Sequence, residues 1–278
     1  MNKRRQTRRT ALLLALLVLL QLTGCGRGEE ITRGSFGGPA QFAQEHQQSQ
    51  SEDAEEGPKE EEFHSGQPFG GSPFQPSTGS HDSASTTVMI YMVGSNLESE
   101  AGAASYDIME MMESGVDVAK NNVIIYTGGS AYWTLDISSD YNSAIELQPD
   151  EDGDGALEGN LVGSTDEPLN MGDSATLTEF LDYTYKEYPA DQYVLICWDH
   201  GGGPIFGFGA DEIFDYDSLT LEEFETALKN SPFGRNNKLA WIGFDACLMS
   251  SIETASILSP YADYLVASQE NEPGCGWD

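Results

Sequence analysis

The sequence predicts an α/β domain with a mostly parallel sheet and helices on both faces. Three observations point there. Apolar runs of strand length, such as Thr87–Val93, Tyr193–Trp198 and Leu239–Phe244, lack the alternation of a half-exposed sheet, and parallel strands are buried on both faces. Segments with helical spacing alternate with these runs, the order that crossover connections require. Two of the runs lead into a reactive side chain, Trp198-Asp199-His200 before three glycines and Phe244-Asp245-Ala246-Cys247 before Leu248-Met249. In open α/β sheets, functional groups collect where strands end.

The elements follow in chain order. Lys3, Arg4, Arg5, Arg8 and Arg9 precede an apolar run from Ala11 to Leu20, too short for a comfortable membrane span, so residues 1–24 read as a secretory signal. Leu22-Thr23-Gly24-Cys25 closes that signal and resembles the bacterial lipoprotein pattern, which implies cleavage before Cys25 and a diacylglycerol on its sulfur. An ordinary signal peptide with an incidental Cys25 is the competing reading. Residues 25–85 are rich in Gly, Ser, Gln, Glu and Pro without a sustained period, and are expected to be a disordered acidic tether. Residues 86–278 are expected to form the folded domain.

Within it, Thr87–Val93 is the first strand, Gly94-Ser95-Asn96 a turn, and Ala103–Met112 a helix with Ile108, Met111 and Met112 inward. Val123–Thr127 is the second strand. Trp133–Ile137 and Ser143–Leu147 are expected to pair as a hairpin across Asp140-Tyr141-Asn142. Asp173 caps a helix through Leu177, Phe180, Leu181 and Tyr185, which Pro189 ends. Strand Tyr193–Trp198 follows. Thr220-Leu221-Glu222-Glu223 forms a capping box that opens the next helix. Leu239–Phe244, a helix over Ser250–Leu258 and a strand over Tyr264–Ala267 complete the series. The chain stops at Asp278 with no closing helix, so a further C-terminal portion is expected.

Charge narrows the partners. Thirteen basic and 46 acidic residues give a net charge of −33, and removing residues 1–24 takes away five basic and no acidic residues, leaving −38. Such a charge excludes nucleic acid and anionic headgroups as electrostatic partners. Membrane attachment then falls to the lipid on Cys25, at about 0.8 kcal/mol per buried methylene. Cys197, Cys247 and Cys275 remain, an odd number that implies at least one free thiol outside the cytoplasm. A Cys197–Cys247 disulfide is the competing reading. His46, His64 and His81 are scattered through the tether, so His200 is the only histidine of the folded part and its single candidate base.

Glycines after His200 let backbone N–H groups approach a ligand closely, so the Gly201 amide could stabilise an oxyanion while His200 handles a proton. Cys247 lies where a strand meets the helix region beginning near Ser250, and a helix N-terminus there would favour the thiolate. Alone, His200 reads as well as a strand-end cap and Cys247 as a small packing residue. Together each supplies what the other's mechanism lacks: a nucleophile and its base. Neither a Gly-x-Ser-x-Gly elbow nor a P-loop is present.

These motifs, with Val88-Met89-Ile90-Tyr91-Met92-Val93-Gly94-Ser95-Asn96-Leu97-Glu98, Asn170-Met171-Gly172-Asp173, Ser268-Gln269-Glu270, Glu272-Pro273-Gly274 and Gly276-Trp277, resemble the clostripain family of cysteine peptidases over residues 86–278. The resemblance implies a caspase-like α/β/α sandwich and a His200–Cys247 dyad, with the oxyanion held by the Gly201 and Cys247 amides. It also implies cleavage of protein or peptide substrates after Arg or Lys, with Asp245 on the wall of the specificity pocket; a loop-orienting carboxylate is the competing reading of Asp245. Some relatives carry a second acid near the Gly-Trp pair, where Cys275 stands in this chain. No cofactor is required by this chemistry. Calcium is an option because some members need it: Asp150, Asp152 and Asp154 with Gly155 resemble the start of a calcium loop, although Leu161 replaces the bidentate Glu at the twelfth position. The expected function is thus a lipid-anchored, extracytoplasmic endopeptidase, with an inactive or truncated surface lipoprotein that binds without turnover as the alternative.

Overall fold

A computed structural model describes residues 75–76, 83–150, 157–274 and 276–277. The expected signal, Cys25, nearly all of the tether, Asp152, Asp154 and Cys275 lie outside the described residues. The main sheet has eight strands: β1 (Gln75–Pro76), β2 (Ala84–Val93), β3 (Asn121–Gly128), β4 (Ser143–Pro149), β5 (Leu157–Ser164), β6 (Ala190–Trp198), β9 (Leu239–Asp245) and β10 (Ala262–Val266). Their spatial order is β1-β5-β4-β3-β2-β6-β9-β10. The five from β3 to β10 in that order run parallel, and β4, β5 and β1 extend the sheet antiparallel. A separate two-stranded ribbon pairs β7 (Phe208–Asp211) with β8 (Asp217–Leu219).

The layers follow from the side-chain period of two. Met89, Tyr91 and Val93 of β2 face one core, shared with Leu177, Phe180 and Leu181 of α3 (Ser174–Glu187), Phe224 and Leu228 of α5 (Leu221–Asn230) and Leu258 of α6 (Ile252–Leu258). Ile90 and Met92 face the other, against Leu97 of α1 (Ser95–Ala101) and Ala104, Ile108, Met111 and Met112 of α2 (Ala103–Glu113). The expected α/β/α sandwich is present, as are the five expected parallel strands. Both predicted caps form: Asp173 accepts from the Ala175 N–H, and Thr220 and Glu223 cap each other's backbone reciprocally. A four-residue helix, α4 (Gly203–Phe206), follows β6.

Two local expectations fail for identifiable reasons. Trp133–Ile137 is not a strand, and β4 pairs instead with β3 and β5. Side chains already satisfy the donors a hairpin would have used: the Thr134 N–H donates to Glu98 Oε1 and the Leu135 N–H to Ser105 Oγ. The freed segment lays Trp133, Leu135 and Ile137 onto the second core. Gly94-Ser95-Asn96 is not a simple turn; α1 begins there, with Ser95 at a left-handed φ of 48°. β4 ends at Pro149 and its antiparallel partner β5 begins at Leu157, and Leu161 is a ladder partner of Ile145.

Candidate active site

The site is built where β6 and β9 end side by side. Their parallel register pairs Trp198 with Asp245, and the Asp199 N–H still donates to the Asp245 carbonyl at 3.3 Å. His200 and Cys247 therefore emerge two residues beyond the same register pair. Gly201 sets the separation. A methyl group at its α-carbon would fall 1.9 Å from the Cys247 carbonyl oxygen, so only glycine admits this approach of the two backbones. Behind them Phe244 packs against Phe208 and Phe224, with ring centroids 5.7 and 5.4 Å away, which anchors β9 next to its reactive end.

Cys247 is half-buried and free, as is the fully buried Cys197, so the bridge between them is not formed. Leu248 takes a left-handed φ of 65° and turns the chain sharply after the thiol. Its N–H donates to the Glu270 carbonyl, and the Ser250 N–H donates to that of Ser268. These bonds tie the nucleophile's turn to the segment after β10. From that segment the Glu272 N–H donates to Cys247 Sγ at 3.3 Å.

Electrostatics correct one expectation. Burial, chiefly, pushes the Cys247 thiol up, Glu272 and Asp245 add to it, and the Glu272 N–H opposes it. The thiol is protonated at neutral pH, and α6, a turn too far along at Ile252, does not rescue the thiolate. His200 is half-buried and burial lowers its pKa to about 4, so it stands neutral, with Nε2 3.0 Å from Asn96 Oδ1. Burial thus disfavours the charged form of both groups.

Asp245 lies among other carboxyl groups. Burial raises its carboxyl well above the usual range, Glu272 and Asp107 raise it further, and the Trp277 N–H, donating to Oδ2 at 3.1 Å, holds it down. Glu272 accepts from Trp277 Nε1 through Oε1, while its Oε2 is buried with no hydrogen-bond partner among the described residues. Asp107 of α2 accepts from Trp198 Nε1, and burial raises its pKa to about 6. A methyl on Gly276 would lie 3.0 Å from Asp245 Oδ2 and 3.2 Å from Asp107 Oδ2, so that backbone runs between the two carboxyls.

The structure sets the expected His200, Gly201, Asp245 and Cys247 at the ends of the adjacent strands β6 and β9, and adds Asn96, Asp107 and the side chain of Glu272, which the sequence did not single out. Asp107 had a signal: a carboxylate beside Ile108 on the inward side of a helix. Asn96 had only its place just past a strand end. Asp150 lies at the far end of β4, and no group of three His, Cys, Asp or Glu able to hold a metal occurs among the described residues.

With that geometry in hand, the comparisons are specific. A sequence model described as the clostripain family matches residues 90–278. Clostripain from Hathewaya histolytica is 30% identical over 209 residues, which is 66% of this chain and 38% of that protein. A secreted C11 cysteine protease from Bacteroides thetaiotaomicron, solved with an irreversible peptide inhibitor, is similar at a TM-score of 0.57 and 26% identity, covering 69% of this chain and 51% of that one. An inactive zymogen C11 protease from Parabacteroides distasonis gives 0.54 and 26%, covering 71% and 52%. The chain spans about two-fifths of the curated relative and about half of the two solved chains.

Two outcomes follow from the geometry. Gly201→Ala should destabilise the domain by about 1–3 kcal/mol, seen as a lower urea midpoint, because the new methyl meets backbone. Gly234→Ala, with nothing within 4 Å of the added carbon, is the control and should leave the midpoint in place. Asp107 has a folded pKa raised from 3.8 to about 6, so its contribution to stability is full below pH 4 and is lost as pH rises through 6. Asp107→Asn should therefore gain on the wild type between pH 4 and 7 in thermal melts, and a constant difference across that range would contradict the assignment.

Proposed function

Because the chain belongs to the clostripain family, we propose that it is a cysteine endopeptidase working through a Cys247–His200 dyad. The observation that carries this reading is the backbone contact between Gly201 and Cys247, which brings the neighbouring imidazole and thiol to one edge of the sheet. In the proposed reaction His200 takes the thiol proton as Sγ attacks the scissile carbonyl. The Gly201 and Cys247 amides hold the oxyanion. The imidazolium then protonates the leaving amine, and water, deprotonated by the same ring, hydrolyses the acyl-enzyme. Nucleophile, base and oxyanion donors are all protein groups, so no cofactor takes part; calcium would enter only through the acidic connection that starts at Asp150.

The cluster of carboxyl groups around Asp245 supports a basic residue before the cut. A guanidinium or ammonium there would meet Asp245 and the unpartnered Oε2 of Glu272. It would also lower the raised pKa of Asp245, so binding would release a proton. The basic leader and Leu22-Thr23-Gly24-Cys25 support an extracytoplasmic, lipid-anchored enzyme, in line with a relative described as secreted. The strong negative charge leaves peptides and proteins, and not nucleic acid, as partners.

A second reading, a surface module that keeps the fold without turnover, is favoured by the burial that disfavours the charged forms of His200 and Cys247. Hydrolysis of arginyl and lysyl peptide amides separates the two. Cys247→Ala should cut turnover by more than about a thousandfold with the melting temperature nearly unchanged; an absence of Cys247-dependent turnover in the wild type leaves the binding module. Asp245→Asn should lower kcat/KM for arginyl substrates by about ten- to a hundredfold relative to neutral ones, the loss expected for a charge-assisted contact. Equal selectivity in that variant would remove Asp245 from the pocket.

A further inference from the structure

We propose that Asn96 is a positioning residue for His200, accepting a hydrogen bond from Nε2–H and so reserving Nδ1 for the Cys247 thiol; the inference rests on the peptidase reading above. The pair comes from adjacent strand ends, with Asn96 Oδ1 3.0 Å from His200 Nε2. It is one of two consecutive contacts, because Ser95 Oγ donates to Asp199 Oδ1 at 2.6 Å. Two neighbours on the β2 corner thus grip two neighbours on the β6 corner.

The grip is costly locally, which argues that it is specified. Ser95 sits at a φ of 48°, a conformation that L side chains other than Asn and Asp rarely adopt. Three hydrogen bonds besides the one to Asp199 hold it there: its N–H donates to the Gly129 carbonyl, Ser130 Oγ donates to its carbonyl, and the Leu97 N–H donates to its Oγ, while Asp199 in turn accepts from the Ala210 N–H. Asn96 then enters α1 as a poor helix former. No side chain caps that helix, so the amide is directed to the ring and not to the helix end.

The chemistry needs this arrangement. An amide oxygen only accepts, so a ring bonded to it carries its hydrogen on Nε2 and keeps a lone pair on Nδ1. When the thiol proton moves to Nδ1, the imidazolium stays bonded through Nε2–H to the Asn96 oxygen. Nδ1–H then passes its proton to the leaving amine and the same tautomer returns. A neutral amide fixes the ring without making it more basic, in keeping with an imidazole whose pKa burial alone depresses.

The test compares wild type, Asn96→Ala, Asn96→Asp and Cys247→Ala. Asn96→Ala should lower kcat by about ten- to a hundredfold with KM within about twofold. Asn96→Asp keeps an acceptor but adds a charge, so it should restore much of kcat while moving the acidic limb of the pH profile up by about one unit or more. The ring nitrogens of His200, followed by ¹⁵N NMR and assigned with His200→Gln, should show a single Nε2–H tautomer in the wild type and a tautomer mixture in Asn96→Ala. Wild-type kcat in Asn96→Ala, an unmoved acidic limb in Asn96→Asp, or an Nδ1–H tautomer in the wild type would each overturn the proposal. If the wild type itself shows no Cys247-dependent turnover, the peptidase reading fails, and the NMR comparison still decides the Asn96–His200 pairing.

Discussion

The site depends on one backbone contact, Gly201 against the carbonyl of Cys247. Everything upstream serves to deliver it. The parallel pairing of β6 with β9 brings Trp198 and Asp245 level, and the hydrogen bond from Asp199 to Asp245 carries the register one residue past the strands. Burial of Phe244 among Phe208 and Phe224 holds one strand end, and the grip of Ser95 on Asp199 holds the other. A reactive pair set by main-chain geometry is less easily misplaced than one set by two flexible side chains.

The charge distribution around that contact is one-sided. Cys247, Asp245, Glu272 and Asp107 are acidic groups close together, and among the described residues no basic side chain is hydrogen-bonded to any of them. Burial raises the pKa values of Cys247, Asp245 and Asp107.

The large-scale fold was legible because its signals are strong and local. Long apolar runs, the Thr220 capping box and the Asp173 cap each declare themselves within a few residues. The His200 and Cys247 segments were legible for the same reason, since each is a strand followed by chemistry. What could not be read depended on distant partners. Trp133–Ile137 looks like a strand until Glu98 and Ser105, some 30 residues earlier, take its donors. The state of the Cys247 thiol was misjudged because the helix beyond it starts later than expected and because Glu272, 25 residues on, is an acid facing it. Asn96 and Asp107 gain meaning only from Trp198 and His200, about 90 to 100 residues away.

That separation has a consequence for the order of events during synthesis. Asn96 and His200 are 104 residues apart, and the strands that carry them meet only once β6 has inserted beside β2. Pairings across so much chain form late and together. A polypeptide with every helix already coiled would still lack this contact between the two corners. The corner that sets His200 against Asn96 is therefore completed only when these two strands pair.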